Sequence, residues 1–351
     1  MGEKLRCAVI GAGASGLGYL NRLLHCPRAA TVAIAENDPR RAREISDRFK
    51  LGRSYSDYRE LVDQPDIDAV AIALPSHWQA QAAIDALKAR KHVLLERPMA
   101  LHSKDAAKII EASRASKRLV MVAQDLRFCR HAQMARTLIQ RGELGELYHA
   151  RAYWRRHNQV PRIGSWRTQK KLAGGGCLLD LGQEILDVCL HLLGEFEAVT
   201  VLACATARFG PRGLGEPEAL RPPDASPKIF DVEDAAVALI RLKSGRTVNL
   251  EVCWAGHWPP DPMEKGLEIL GANGGLSLFP ARLYRPGPNG YECTLLQLPK
   301  VAAAEDPVTH FVQCVLENRK PLVSPEESLA LQKLLDALLA SAASGKETAV
   351  K

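Results

Sequence analysis

Gly11-Ala12-Gly13-Ala14-Ser15-Gly16 constrains this chain more than any other feature, because it stands between an apolar run, Leu5–Ile10, and a helical pattern, Ala14–Leu24. In such a strand–turn–helix the first glycine permits the tight turn. The second lets backbone approach a pyrophosphate, and the third lets the helix pack on the strand. The helix N-terminus then offers unpaired N–H groups and a partial positive charge to phosphates. Glu36 ends the next apolar segment, Thr31–Glu36, twenty residues after Gly16. A carboxylate there accepts the hydroxyls of an adenosine ribose and repels a 2′-phosphate, so NAD is expected over NADP. Asn37 follows it, and the nearby Arg40 and Arg41 keep NADP open.

The same alternation continues with a helix opening at Pro39 and a strand at Asp68–Leu74. It runs on through helix Gln79–Ala89, strand His92–Leu95, helix Ser103–Ser116 and strand Leu119–Ala123. Short, continuously apolar strands separated by helices specify a parallel sheet buried on both faces. After Arg127 the character changes to a helix at Gln133–Arg141, an alternating strand at Leu147–Trp154, and an apolar helix from Gly174–Gly176 to Leu193. From Val199 the segments 199–206, 232–242, 246–254, 266–271, 275–279 and 294–298 read as antiparallel strands, with Gly245, Gly274 and Gly275 at turns. Two Pro/Gly-rich loops, Phe209–Lys228 and Gly256–Lys265, interrupt them, and helices Val308–Glu317 and Pro325–Ser341 close the chain. The expected organisation is an α/β NAD(P)-binding Rossmann domain over 1–124. An α+β domain over 125–351 follows, with a large open-faced, mainly antiparallel sheet, and the closing helices are free to pack back toward the first domain.

Composition bounds the function classes. At 351 residues the chain suits two domains. The formal charge of +7 is spread out rather than gathered into the stripe or tail of a nucleic-acid binder. Nine scattered cysteines without a C-x-x-C pair argue against a disulfide framework and a cysteine-built zinc site. No run reaches the ~20 apolar residues of a membrane span. No signal peptide opens the chain, and Arg6 stands where a myristoylation pattern needs Ser or Thr. The expectation is a cytoplasmic protein without nucleic-acid or membrane partners. Asp180, Glu184 and Asp187 lack the histidine or second carboxylate motif that would complete a metal site, so no metal is expected.

Four further segments carry a resemblance that covers nearly the whole chain. They are Leu74-Pro75-Ser76-His77; the run His92 to Ala100 with Glu96-Arg97-Pro98; the run Gly174 to Asp187 with Asp180, Gly182 and Glu184; and Asp231-Val232-Glu233-Asp234 with the tail Pro321, Ser324-Pro325-Glu326, Leu338 and Gly345. Together they resemble the glucose–fructose oxidoreductase/inositol dehydrogenase/MocA family of sugar and polyol dehydrogenases. The resemblance implies a Rossmann domain, an open-faced sheet domain and an active site in the crevice between them. It places Leu74, Pro75, His77, Glu96 and Arg97 beside the cofactor, with Gln124, Trp166 and Arg167. Arg127, Tyr153, His157 and Asp187 are the candidate substrate contacts.

The sequence departs from that family where the chemistry lies. The family's lysine in Glu-Lys-Pro is Arg97, and its histidine four residues after the aspartate is Glu184. Arg97 cannot act as a base but can clamp an oxygen or a carboxylate. Glu184 can accept a proton, and Asp180 at i, i+4 shares its helix face, so like-charge repulsion pushes one carboxyl upward. Three readings stay open. The first is an NAD-dependent oxidoreductase of a sugar, polyol or sugar-acid carbon, with Glu184 as base, Asp180 tuning it and Arg97 as oxygen clamp. The second is a redox-neutral glycosidase-like or epimerase-like enzyme that recycles its NAD. The third is a catalytically silent cofactor-binding sensor. An apolar open sheet face leads to the expectation of a homodimer or homotetramer.

Overall fold

The computed structural model describes residues 4–220, 229–258, 264–288, 290–297 and 305–351. Parts of both Pro/Gly-rich loops, and the end of the expected strand at 294–298, lie outside the described residues. The chain divides into two compact units, and the division falls between Ala123 and Gln124. Glu305–Gln332 groups with the first unit and Lys333–Lys351 with the second.

In the first unit the strands are β1 (Leu5–Ile10), β2 (Ala29–Ala35), β3 (Arg53–Tyr55), β4 (Ala69–Ile72), β5 (His92–Leu95) and β6 (Val120–Val122). All are parallel, in the order β3-β2-β1-β4-β5-β6, which is the doubly wound dinucleotide-binding order. Strand β4 is buried at every residue, as a strand covered on both faces must be. The intervening helices are α1 (Ala14–His25), α2 (Pro39–Phe49), α3 (Tyr58–Val62), α4 (Ser76–Lys88) and α5 (Ser103–Ser116). Asp38 caps α2 through the amide of Arg40 at 2.9 Å, with Pro39 in its first turn. Strand β3 and helix α3 had no sequence signal, being only three and five residues long.

The second unit begins with α6 (Asp125–Phe128), α7 (Arg130–Gln140), α8 (Lys170–Ala173) and α9 (Gln183–Leu193). Its sheet is built from β7 (Leu147–Arg155), β8 (Ala198–Thr206), β9 (Ala235–Leu242), β10 (Thr247–Cys253), β11 (Lys265–Gly271), β12 (Gly274–Leu278), β13 (Ala281–Gly287), β14 (Gly290–Leu295) and β15 (Thr348–Ala349). The order is β14-β13-β12-β11-β7-β10-β9-β8-β15. The sheet is mainly antiparallel, as expected, and one pair within it is parallel: β7 and β10, with His149 opposite Thr247 and Arg155 opposite Cys253. The two strands therefore leave the sheet at the same end. Strand β9 alternates strictly between buried and exposed positions after Ala235, the pattern of a sheet covered on one face. Helix α9 lies on the covered side with all but His191 buried.

The last helices are α10 (Pro307–Leu316) and α11 (Pro325–Ser344). Helix α10 packs on α1 and β5 of the first unit, as the expectation for the closing helices allowed. Asp306 caps it, accepting from Val308 N at 2.9 Å.

Candidate active site

In the first unit the glycine-rich turn has the geometry that its spacing predicts. Gly11 adopts φ +93°, and a Cβ there would lie 2.5 Å from the Ala73 carbonyl oxygen. At Gly16 a Cβ would fall 1.8 Å from the Gly11 oxygen, so helix and turn touch through bare backbone. Gly13 is different: nothing lies within 4 Å of the position its Cβ would take. The open side of the turn is thus at the glycine where a pyrophosphate approaches backbone. Helix α1 starts at Ala14 and Ser15 without a side-chain cap or an acidic residue in its first turn, which leaves its amides to an anionic ligand. Glu36 Oε2 accepts from Ala12 N at 2.9 Å, bringing this carboxylate onto the turn itself. Arg41 donates to Ala12 O at 2.6 Å, whereas Asn37 is exposed. These residues fit NAD. Replacing Glu36 with Ala is expected to relax the preference for NADH over NADPH in paired binding titrations; an unchanged ratio would remove Glu36 from the ribose.

Leu74 and Pro75 lead from β4 into α4, and the Leu74 side chain would meet a Cβ on Gly11 at 3.2 Å. His77 and Trp78 stack at 5.1 Å in the first turn of α4. One turn on, Gln79 is 1% exposed and donates both amide hydrogens, to Glu96 O at 2.5 Å and to Pro98 O at 2.6 Å. Those carbonyls flank Arg97. Tyr19 of α1 donates to Glu96 Oε2 at 2.6 Å. The segment carrying Arg97 is therefore pinned at main chain and side chain by residues that sequence reading passed over, since neither Gln79 nor Tyr19 belongs to a motif.

In the second unit Asp180 sits in a π-helical turn, Leu178–Gly182, that leads directly into α9. The expected shared face of Asp180 and Glu184 now spans the junction of this wider turn with α9. Three carboxylates set up this region. Glu233 Oε1 accepts from Gly176 N at 2.8 Å and Leu178 N at 3.0 Å, and its own carbonyl takes Cys177 N at 3.1 Å. A Cβ on Gly176 would be 1.9 Å from that carbonyl oxygen, so only glycine fits. Burial pushes the Glu233 carboxyl above its ordinary value, and the two amides oppose the shift. Asp231 accepts from Lys170 N at 2.5 Å, and Asp234 accepts from the amides of Arg208, Phe209 and Gly210. Asp180 in turn accepts from Trp254 Nε1 at 2.9 Å, and Arg167 lies 3.7 Å from its other oxygen. Arg167 stacks on Trp166 at 4.8 Å. Of the pair expected at the cofactor, Arg167 is the one that lies beside Asp180. Trp254 is buried at 1% exposure, and its indole N–H helps to orient Asp180. Glu184 is buried at 7% exposure. Gln124, directly after the last parallel strand, is 1% exposed, and neither atom of its amide has a hydrogen-bond partner.

The expected substrate contacts do not converge. Arg127 and Asp187 are buried at 0% and 1% side-chain exposure, and they bind one another through Nε and Nη2, both at 2.7 Å. Arg127 also reaches His191 Nδ1 at 3.2 Å, and Arg136 reaches its Nε2 at 2.6 Å. Tyr153 faces away from Trp154 across β7 and lies beneath Arg155 at 4.4 Å, and His157 is exposed. Among the described residues no group of three or more His, Cys, Asp or Glu side chains is gathered as metal ligands. Asp187→Asn leaves a buried guanidinium without its counter-charge and is expected to cost about 3–5 kcal/mol in denaturant unfolding. Burial, then Arg127 and Arg136, pull the His191 pKa from 6.5 to about 3. In the unfolded chain it takes a proton near pH 6.5, so stability falls as pH drops from there toward 3. His191→Gln is expected to flatten that part of a stability–pH profile.

The comparisons with known proteins show the family. Residues 5–124 match the profile of the oxidoreductase family with an NAD-binding Rossmann fold, and 132–277 match the GFO/IDH/MocA C-terminal domain. Levoglucosan dehydrogenase of Pseudarthrobacter phenanthrenivorans is 32% identical over 231 residues, 64% of this chain and 59% of that protein. D-glucoside 3-dehydrogenase of Escherichia coli is 26% identical over 97% of this chain and 96% of its own length. A solved levoglucosan dehydrogenase in complex with NADH and levoglucosan superposes with a TM-score of 0.86 at 23% identity, covering 99% of this chain and 100% of the other. With both halves matched, the chain belongs to the Gfo/Idh/MocA family of NAD-binding oxidoreductases.

Proposed function

We propose that this protein is an NAD-dependent oxidoreductase acting on a carbinol carbon of a sugar, polyol or sugar acid, with Glu184 as the proton acceptor and Arg97 as the oxygen clamp. The observation that carries the reading is the fixed Asp180. Its two oxygens face the Trp254 indole and the Arg167 guanidinium, on the helix turn directly before Glu184. NAD supplies the hydride acceptor when bound. The residues of the chain do the rest. Asp180, held by neutral and cationic donors, is suited to receive a substrate hydroxyl, while Glu184, buried one turn on, is suited to take its proton. Arg97 stays protonated at any working pH and stabilises negative charge on the oxygen. Arg127 and Asp187 serve the site by locking α9 to the helices before it, rather than by touching substrate.

Levoglucosan dehydrogenase and D-glucoside 3-dehydrogenase among the relatives support a carbohydrate as substrate. Glu184→Gln is expected to lower turnover by the ~10²–10⁴ of a lost general base while NAD affinity stays the same. Unaltered turnover in that variant would exclude Glu184 as the base.

The exposed side of the second unit's sheet supports self-association. Leu202 and Leu239, a register pair, are 47% and 49% exposed, and the exposed Cys204 stands opposite Val237 at 51%. A second copy of the chain covering this apolar patch is the expected state in sedimentation. A monomer at micromolar concentration, with the cofactor site filled, would contradict it.

A further inference from the structure

Asp180 hangs from Trp254, the residue after β10, and β7 runs parallel beside β10. Arg156, the residue after β7, therefore leaves the sheet at the same end, and its amide donates to Cys253 O at 3.1 Å. Strand alternation puts Arg156 on the face of Trp154 and Trp254, and its guanidinium carbon lies 5.1 Å from the centre of the Trp154 ring. Lys265, the register partner of Trp154, places Nζ 4.5 Å from that same ring and 5.1 Å from Phe279. Two cations thus share one indole, at the sheet end that presents Asp180. Neither has an acidic partner among the described residues, and the Arg156 Nε is buried with no acceptor on it.

Elsewhere the chain compensates arginines of this kind. Arg127 gives Nε and Nη2 to the two oxygens of Asp187, and Arg6 does the same with Asp68 at 2.9 and 2.6 Å. A partly desolvated guanidinium without a counter-charge is unfavourable unless a ligand brings one. Stacking on Trp154 fixes its plane but supplies no acceptor. We infer that Arg156 and Lys265 form an anion subsite that reads the carboxylate of an acidic sugar, a uronic or aldonic acid, and so decides substrate class. The planar fork of Arg156 suits a planar carboxylate, and the subsite lies on the Asp180 side of the sheet, where a hydroxyl of the same sugar is handled. This inference rests on the carbohydrate reading given above, and it specifies which carbohydrates.

The test is calorimetric titration of the NADH-loaded protein with D-glucuronate, D-glucose and D-glucose 6-phosphate. Glucuronate is expected to bind roughly tenfold or more tightly than glucose, a charge-assisted hydrogen bond's contribution. Arg156→Gln is expected to bring the two to parity with NADH affinity unchanged, and Arg156→Lys to restore part of the preference. Lys265→Gln is the second variant, and a reduced preference is expected there too. Equal binding of glucuronate and glucose, a preference that survives both glutamine variants, or tighter binding of the phosphate would overturn the subsite. Reduction of NAD⁺ is measured separately. Glucuronate binding without any hydride transfer would retain the subsite and sink the oxidoreductase chemistry. Oxidation of neutral sugars without glucuronate binding would do the reverse.

Discussion

The second unit depends on the place where three consecutive amides of the site helix meet Glu233. Gly176, Cys177 and Leu178 are held by one side chain and one carbonyl, so closely at Gly176 that a Cβ there has no room. A buried carboxylate is costly unless donors satisfy it, and the start of a helix has donors to spare. Each meets the other's need. Because the grip is on backbone, it sets the height and rotation of everything that follows: the π-helical turn with Asp180, then Glu184, then Asp187. Asp231 and Asp234 extend the same logic to the amides of Lys170 and of 208–210, so one acidic stretch shapes three loops.

With the helix fixed, its side chains divide into those bound internally and those presented. Asp187 faces Arg127 in a dry, bidentate pair, which anchors α9. Asp180 takes the neutral Trp254 indole N–H on one oxygen and has the half-exposed Arg167 guanidinium 3.7 Å from the other. In the first unit, Gln79 and Tyr19 hold the segment of Arg97 with comparable rigidity. Replacing lysine and histidine by arginine and glutamate keeps one permanent cation and one proton acceptor. It exchanges a mobile point charge for a planar donor. On the function proposed above, such a change redirects specificity while the chemistry is kept.

Much of this was legible in the residues. The parallel sheet followed from short, continuously apolar runs, and His92–Leu95 and Ser103–Ser116 appear with the bounds read from sequence. The cofactor turn was legible because its function is local: three glycines, one strand, one helix. What escaped depends on contacts between residues far apart in the chain. The parallel pairing of β7 with β10 joins segments about a hundred residues apart, and no local pattern encodes it. Trp254 carries no motif, and its role is defined by Asp180, on another element. The pairing of Arg127 with Asp187 escaped because periodicity does not reveal that two buried charges are opposite one another. Gln79 carries no motif, and only the flanking carbonyls of Arg97 give it a role.

The central claim is that an oxidoreductase survives the exchange of lysine and histidine for Arg97 and Glu184. A single-turnover spectrum tests it most directly: purified protein is loaded with NAD⁺ and mixed with sugars, uronic acids and polyols in turn. The appearance of reduced-nicotinamide absorbance with at least one hydroxylated substrate, at one equivalent per site, is the predicted result. Fully bound NAD⁺ that stays oxidised across the whole set would contradict the account.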